Sequence, residues 1–315
     1  MKPGPTTETR PQQPSGGRGL SWRVNAPADL GTPVWDNHFH LDPNGRGLDA
    51  VDEFVRAGGT GFMLVHKPYY EGEARVNRSV ADHERQMGIT LGLADKVRAA
   101  YPDLTVGVAL APHPAEFTKL LDIGMTIDDA AAIYEGALEV AAGFVRDGRA
   151  QAMAEVGRPH WQPVDPVVWA KANELMVHAF TLAKEAGCAV QIHAETATPE
   201  SFADLRRHVD MAGLSPDKVV KHYSTPIVDT ALNHGLWPSV LIGKNSAETA
   251  IAGNTRFLME TDYMDDPRYP GAVLGPKTVP KRTRQLLDKG LMSAEQAHIV
   301  HGDNVRALYG LEPRA

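Results

Sequence analysis

Val34-Trp35-Asp36-Asn37-His38-Phe39-His40 sets two imidazoles two residues apart at the end of an apolar run. In a β-strand alternate side chains share a face, so Asp36, His38 and His40 point the same way, with the two imidazole bases roughly 7 Å apart. Two neutral imidazoles so placed can grip one cation. Two ordinary strand histidines would show the same spacing, so the reading depends on partners elsewhere in the chain.

Candidate partners stand where other apolar runs end: Glu155 after Ala152-Met153-Ala154, His193 after Val190-Gln191-Ile192, His222 after Val219-Val220-Lys221, and Asp262 after Leu258-Met259-Glu260-Thr261. Each has an ordinary explanation taken singly. Glu155 could cap a loop, His193 and His222 could be satisfied core histidines, and Asp262 could anchor a turn. Taken together, ionisable groups at the ends of apolar strands are costly to bury without partners, and a shared cation partners all of them. Four imidazoles and two carboxylates suffice for two metal ions.

Such a set must be carried by a scaffold that brings strand ends together. Apolar or β-branched runs predict strands at 33–40, 61–66, 105–112, 150–156, 189–193, 218–222, 238–242 and 256–261. Between them, amphipathic Ala-rich stretches predict helices at 48–57, 79–100, 127–147, 165–186, 201–212 and 279–289, several ending in Gly. Eight strands, each followed by a helix, predict a parallel (β/α)8 TIM barrel, whose reactive residues sit at the C-terminal ends of the strands. A doubly wound sheet is the alternative. No Gly-x-Gly-x-x-Gly turn follows the first strand and no Walker loop is present, so nucleotide-cofactor binding has no support.

Composition sets outer bounds. The chain has 315 residues, 43% of them hydrophobic, and a net charge of −7 with a pI near 6, which argues against coating nucleic acid with the whole surface. Cys188 is the one cysteine, so no intrachain disulfide can form, and its apolar neighbours suggest burial. With no long apolar run and no signal-peptide pattern, the expectation is a cytoplasmic protein without membrane contact. Residues 1–25 are a Pro/Gly-rich tail too poor in large apolar side chains to order itself, leaving 26–315 as the barrel domain.

The motifs carry a family resemblance. Asp36-Asn37-His38-Phe39-His40-Leu41-Asp42 resembles the opening signature of the TatD family of metal-dependent hydrolases, within the amidohydrolase superfamily. Ala154-Glu155-Val156-Gly157, Gln191-Ile192-His193, Val220-Lys221-His222, Glu260-Thr261-Asp262 and the closing Asn304-Val305-Arg306-Ala307-Leu308-Tyr309-Gly310 follow in the family's order. Val65-His66-Lys67-Pro68-Tyr69 and Arg158-Pro159-His160 give the flavour of an archaeal-type branch. The chain departs from the typical pattern in carrying Arg158-Pro159-His160 after Gly157, and Tyr223-Ser224-Thr225 after His222 where Cys-Phe-Ser is usual.

The resemblance implies a site: His38, His40 and Asp262 on one ion, His193 and His222 on the second, and Glu155 bridging, with Asp262 accepting or passing on the proton of a metal-bridged water. Asp36 is expected to orient the ligands from behind. The histidine-rich set favours zinc, while manganese or magnesium, the latter linked to the family's DNases, stays open. His66, Lys67, His113, Arg158, His160, Lys221, Lys244 and Lys277 fall near the expected mouth. Of these, Arg158 and Lys244 could clamp a phosphate or carboxylate, and His113 resembles a histidine the family places beside its site. The usual reading of a lysine is a solvated charge, and of Tyr69 and Tyr263 rim packing, although either ring could stack on a base. His83, His178, His208, His234, His298 and His301 fall on helical stretches and are read as structural or solvent-facing.

Three functions are compatible with this pattern. The first is a TatD-like phosphodiesterase or deoxyribonuclease acting on nucleic-acid ends. The second is hydrolysis of a small amide, lactone or carboxylic ester, and the third a metal-binding barrel that recognises a partner without turnover. Oligomeric state is not encoded in any feature of the sequence.

Overall fold

The computed structural model describes residues 29–69, 76–161 and 164–315, so the whole of the expected tail, residues 1–25, lies outside the described residues. One parallel sheet runs in the order β8-β7-β6-β5-β4-β3-β2-β1-β9. Its members are β1 Trp35–His40, β2 Gly61–Val65, β3 Thr105–Ala109, β4 Ala152–Gly157, β5 Ala189–His193, β6 Val219–Ser224, β7 Trp237–Leu241, β8 Leu258–Glu260 and β9 Tyr263–Met264. β8 also lies against β1, which curls the sheet into the TIM barrel that the sequence predicts.

The strands are buried on both faces because helices cover the outside, which is why they read as nearly continuous apolar runs. Inside lie Met63, Val65, Ala109, Ala152, Ala154, Ala189, Val220 and Leu258. Outside, Phe39, Phe54, Phe62, Phe117 and Phe180 pack the sheet against the helices.

The helices start and stop on local signals. Ser79 accepts from the Asp82 amide ahead of α2 (Val80–Ala100), and Asp165 accepts from the Val167 amide ahead of α5 (Pro166–Ala186), which ends at the left-handed Gly187. α1 (Leu48–Arg56), α4 (Ile127–Arg146) and α6 (Pro199–Ala212) match the expected stretches within two residues. α3 (Pro114–Asp122) and α7 (Ser246–Gly253) were not expected, being short and weakly patterned. α8 (Thr278–Asp288), α9 (Ala294–His298) and α10 (Asn304–Tyr309) close the chain.

Two features correct the regular pattern. No helix separates β6 from β7, which are joined by a turn-rich segment where Asp229 and Asn233 tie the backbone locally. The eighth strand is also broken: β8 pairs with β7, whereas β9 pairs with β1 through Phe39↔Tyr263 and His40↔Met264. Thr261 and Asp262 occupy the break, with Asp262 left-handed at φ 49°. His234 lies in the turn before β7 rather than on a helix. His301 is a buried pin, its Nδ1 3.1 Å from the Trp35 amide and its Nε2 2.9 Å from Thr283 Oγ1. Cys188 is buried, and burial pushes its thiol up to about 11. Among the described residues no helix is long and apolar enough to cross a membrane.

Candidate metal centre

β1 delivers His38 and His40 fully buried, and each ring is fixed from behind. Nδ1 of His40 lies 2.9 Å from the Val65 carbonyl, an obligate acceptor, so that nitrogen carries the proton. Nδ1 of His38 lies 2.7 Å from Gln191 Oε1, and the Gln191 amide is held in that orientation because its Nε2 donates to the Asn37 carbonyl at 3.1 Å. Both Nε2 atoms therefore present lone pairs, and they face each other at 3.1 Å.

The carboxylates converge on the same point. Glu155 Oε1, from β4, lies 3.3 Å from His38 Nε2 and 3.4 Å from His40 Nε2, and Asp262 Oδ1 lies 3.4 Å from His40 Nε2. Two imidazole Nε2 atoms and two carboxylate oxygens thus crowd around one point, an arrangement that a shared cation satisfies.

The other oxygen of Glu155 serves a second cluster. Oε2 lies 2.7 Å from His193 Nδ1 and 3.1 Å from His222 Nε2, and those two nitrogens are 3.1 Å apart. The His222 ring stacks on His38 at 4.0 Å between centroids, so the two clusters share a wall. Gly157, two residues beyond Glu155, pairs with His193 across β4 and β5; a Cβ there would stand 1.8 Å from the His193 carbonyl oxygen. Only glycine lets these two strands bring their ligands this close.

Electrostatics favour positive charge at this point. Against burial, Glu155 and Glu260 push His222 up to about 10, while His222 and His38 hold Glu155 well below the usual carboxylate range. Asp262 is likewise held down by His40 and His38 against burial. The six residues fit a pair of divalent ions: His38, His40 and Asp262 would hold one, His193 and His222 the other, and Glu155 would bridge.

His113 and His160 complete the wall but differ from the ligands. His113 caps α3, its Nδ1 accepting from the Ala115 amide at 3.0 Å, so its Nε2 carries the proton and stands as a donor 3.8 Å from Glu155 Oε2. Burial and neighbouring His193 push His113 down to about 3, which keeps it neutral. His160 Nε2 lies 3.0 Å from His193 Nε2, the nitrogen that faces away from Glu155, and burial and His193 push it down to about 4. It thereby steadies the His193 ring.

Other expected residues take different places. Arg158 is 2% exposed, with its guanidinium committed to Glu195, Asp204 at 2.6 Å and Asn173 at 3.0 Å, which places it behind the site as a brace for the β4 and β5 loops. Lys244 sits exposed on the turn after β7 and does not line the cavity. Asp36 touches neither imidazole. It accepts from the Thr261 amide at 3.0 Å and the Thr261 hydroxyl at 2.6 Å, filling the break in the eighth strand and so positioning Asp262; burial raises its carboxyl to about 7. Lys67 and Lys221 are buried rather than solvated, Lys67 between Asp42 and Asp266 and Lys221 donating to the His222 carbonyl at 2.6 Å. Tyr69 and Tyr263 are buried packing residues. Lys277 stays on the surface, 2.5 Å from Glu53, and His66 lines the cavity with Nδ1 2.7 Å from Thr90 Oγ1.

Sequence reasoning missed the orienting residues Gln191 and Glu260. Glu260 Oε1 stands 3.4 Å from His222 Nδ1 and accepts from the Tyr223 amide, and its Oε2 takes the Ser239 hydroxyl. A signal for both existed: each is a polar residue two positions ahead of a ligand within an apolar strand, hence near the same inward face.

A protein-family model described as TatD related DNase matches residues 35–310, which span every residue of this centre. The chain belongs to the TatD-related DNase family. A relative from Methanocaldococcus jannaschii, the uncharacterized protein MJ1127, is 35% identical over 283 residues, covering 89% of this chain and 96% of its own length. Solved structures share the barrel at much lower identity. Dihydroorotase from Saccharomyces cerevisiae superposes with a TM-score of 0.55 at 12% identity, over 90% of this chain and 85% of that one. An enamidase of the amidohydrolase superfamily gives 0.51 at 18% identity, over 89% and 68%. These likenesses concern the fold, and the TatD assignment with the convergent donor set supports a metal-dependent hydrolase.

Proposed function

We propose that this TatD-family barrel hydrolyses a phosphodiester, at a nucleic-acid end or in a small molecule, with two divalent ions as cofactors, zinc first and manganese or magnesium as alternatives. One observation carries the reading: Glu155 divides its two oxygens between His38 and His40 on one side and His193 and His222 on the other, at the edge of a cavity that Glu155, His193, His222 and Asp262 line. Divalent ions held there would lower the pKa of water and polarise a scissile bond.

The chain's own residues supply the rest. Asp262, held ionised at the cavity floor, is placed to take the proton of the attacking water. His113 offers Nε2–H to a substrate oxygen, and Gln191, Glu260 and the Val65 carbonyl keep the ligand rings from turning. The cavity is about 690 Å3, the size for a small ligand or a chain end rather than a length of duplex.

A specific observation also favours acyl substrates. Cations around the cavity are already paired, Lys67 with Asp42 and Asp266, and Arg268 with Asp266, which leaves less free positive charge for a phosphate backbone. The metal-loaded chain should therefore be tested on single-stranded oligonucleotides and simple phosphodiesters beside small esters, lactones and amides. Phosphodiester turnover supports the proposal; turnover of acyl substrates alone replaces it with the second reading.

A further inference from the structure

Among the described residues three aromatic side chains are exposed, Trp161, Tyr223 and Tyr269, and all three stand around this one cavity. The other exposed large apolar side chains are aliphatic and none of them lines it. Trp161 is 43% exposed, and its ring lies 5.9 Å from His113 at 28° and 6.1 Å from His193. Tyr223 is 49% exposed, and its ring lies 6.1 Å from His222. Since His193 and His222 are 5.3 Å apart, Trp161 and Tyr223 border the same pair of imidazoles.

The placement of Tyr223 is imposed. Its φ of 51° is a left-handed conformation that a bulky residue rarely adopts, and the β6–β7 register shifts between Lys221 and Ser224. The turn is held by the Tyr223 amide donating to Glu260 Oε1 at 2.5 Å, the same oxygen that faces His222. Strain of this kind persists only where surrounding structure fixes it, and it clusters at ligand sites. Here it delivers an uncharged aromatic face to the mouth.

We propose that Trp161 and Tyr223 form a subsite for a planar aromatic group of the substrate beside the His193 and His222 half of the centre. The ring is a nucleobase if the phosphodiester reading holds, and identifying it as a base rests on that reading. Exposed aromatic faces stack on flat rings of any base, whereas alkyl groups gain much less.

The test is binding, measured by calorimetry on the zinc-loaded full chain with phenylphosphonate and methylphosphonate, two probes with the same anionic head. Wild type should prefer the phenyl probe by about 5- to 140-fold, the range for stacking on one aromatic residue. Tyr223→Ala and Trp161→Ala should each reduce that preference while metal content and methylphosphonate affinity hold. Tyr223→Phe, which keeps the ring, should retain the preference, and guards against a folding defect in the alanine variant. Absence of a preference in wild type, or a preference that survives both alanine substitutions, overturns the subsite. Failure of the phosphodiester reading shows separately, as a chain that discriminates the probes yet cleaves only acyl substrates.

Discussion

Gln191→Leu is the perturbation whose consequence follows most closely from the site. The leucine fills nearly the same volume but removes both ends of an amide that is 0% exposed. His38 Nδ1–H loses its acceptor at 2.7 Å and the Asn37 carbonyl loses a donor at 3.1 Å, while Tyr309 Oη still donates to Asn37 Oδ1. Two buried groups left unpaired cost about 1–3 kcal/mol each, so the fold should lose roughly 2–6 kcal/mol. The His38 ring is then free to turn or change tautomer, and loss of such an orienting partner weakens metal binding by about 10- to 100-fold. Competition against a chromophoric chelator should show this loss in the ion held by His38 and His40, with the other ion little changed, and urea unfolding should report the stability. Gln191→Glu keeps an acceptor for His38 but cannot donate to Asn37, so it should lose stability with a smaller loss of affinity. Wild-type affinity for both ions in the leucine variant would refute the fixed-tautomer argument.

Three further outcomes follow. Asp262→Asn should lower kcat by about 10²- to 10⁴-fold on whichever substrate is turned over, with metal content near wild type, because five other donors remain. Arg158→Met should lower stability by about 1–3 kcal/mol, discounted for the partial exposure of Glu195 and Asp204, and leave KM unchanged; a raised KM with unchanged stability would restore a substrate role. Glu116 is buried and raised to about 7, above its usual 4.5, so the folded state binds its proton more tightly than the unfolded state does. Its contribution is present below pH 4.5 and is lost as pH rises toward 7, up to about 3 kcal/mol; relative to Glu116→Gln, wild type should lose urea stability over that window, and parallel pH curves would contradict the shift.

The barrel was legible because the strands are covered on both sides and read as apolar runs, and much of the site was legible because β1, β4, β5, β6 and β8 carry His, Glu or Asp at or near their ends. The break at Thr261 and Asp262 was not legible, since the run Arg256 to Thr261 gives no sign that pairing with β7 stops at Glu260 and that Tyr263 and Met264 pair with β1. Asp36 was expected to face the same way as His38 and His40, but the register shift between Asp36 and Phe39 breaks that alternation: Asp36 pairs with outward-facing Phe62, and its carboxylate meets the broken strand at Thr261, from where it positions Asp262. Lys67 violated the usual exposure of lysine because its carboxylate partners, Asp42 and Asp266, come from other segments, whereas buried Lys221 turns its ammonium to the carbonyl of the adjacent His222. Arg158, read from charge alone as an anion clamp, is occupied by acids 37 and 46 residues onward.

The central claim is that Glu155 joins two metal sites. Elemental analysis of the chain after reconstitution and dialysis, wild type beside Glu155→Ala, tests it most directly. Two equivalents of divalent metal in wild type and at most one in the variant are the expected result; wild type that retains one or none, or a variant that retains both, would contradict it.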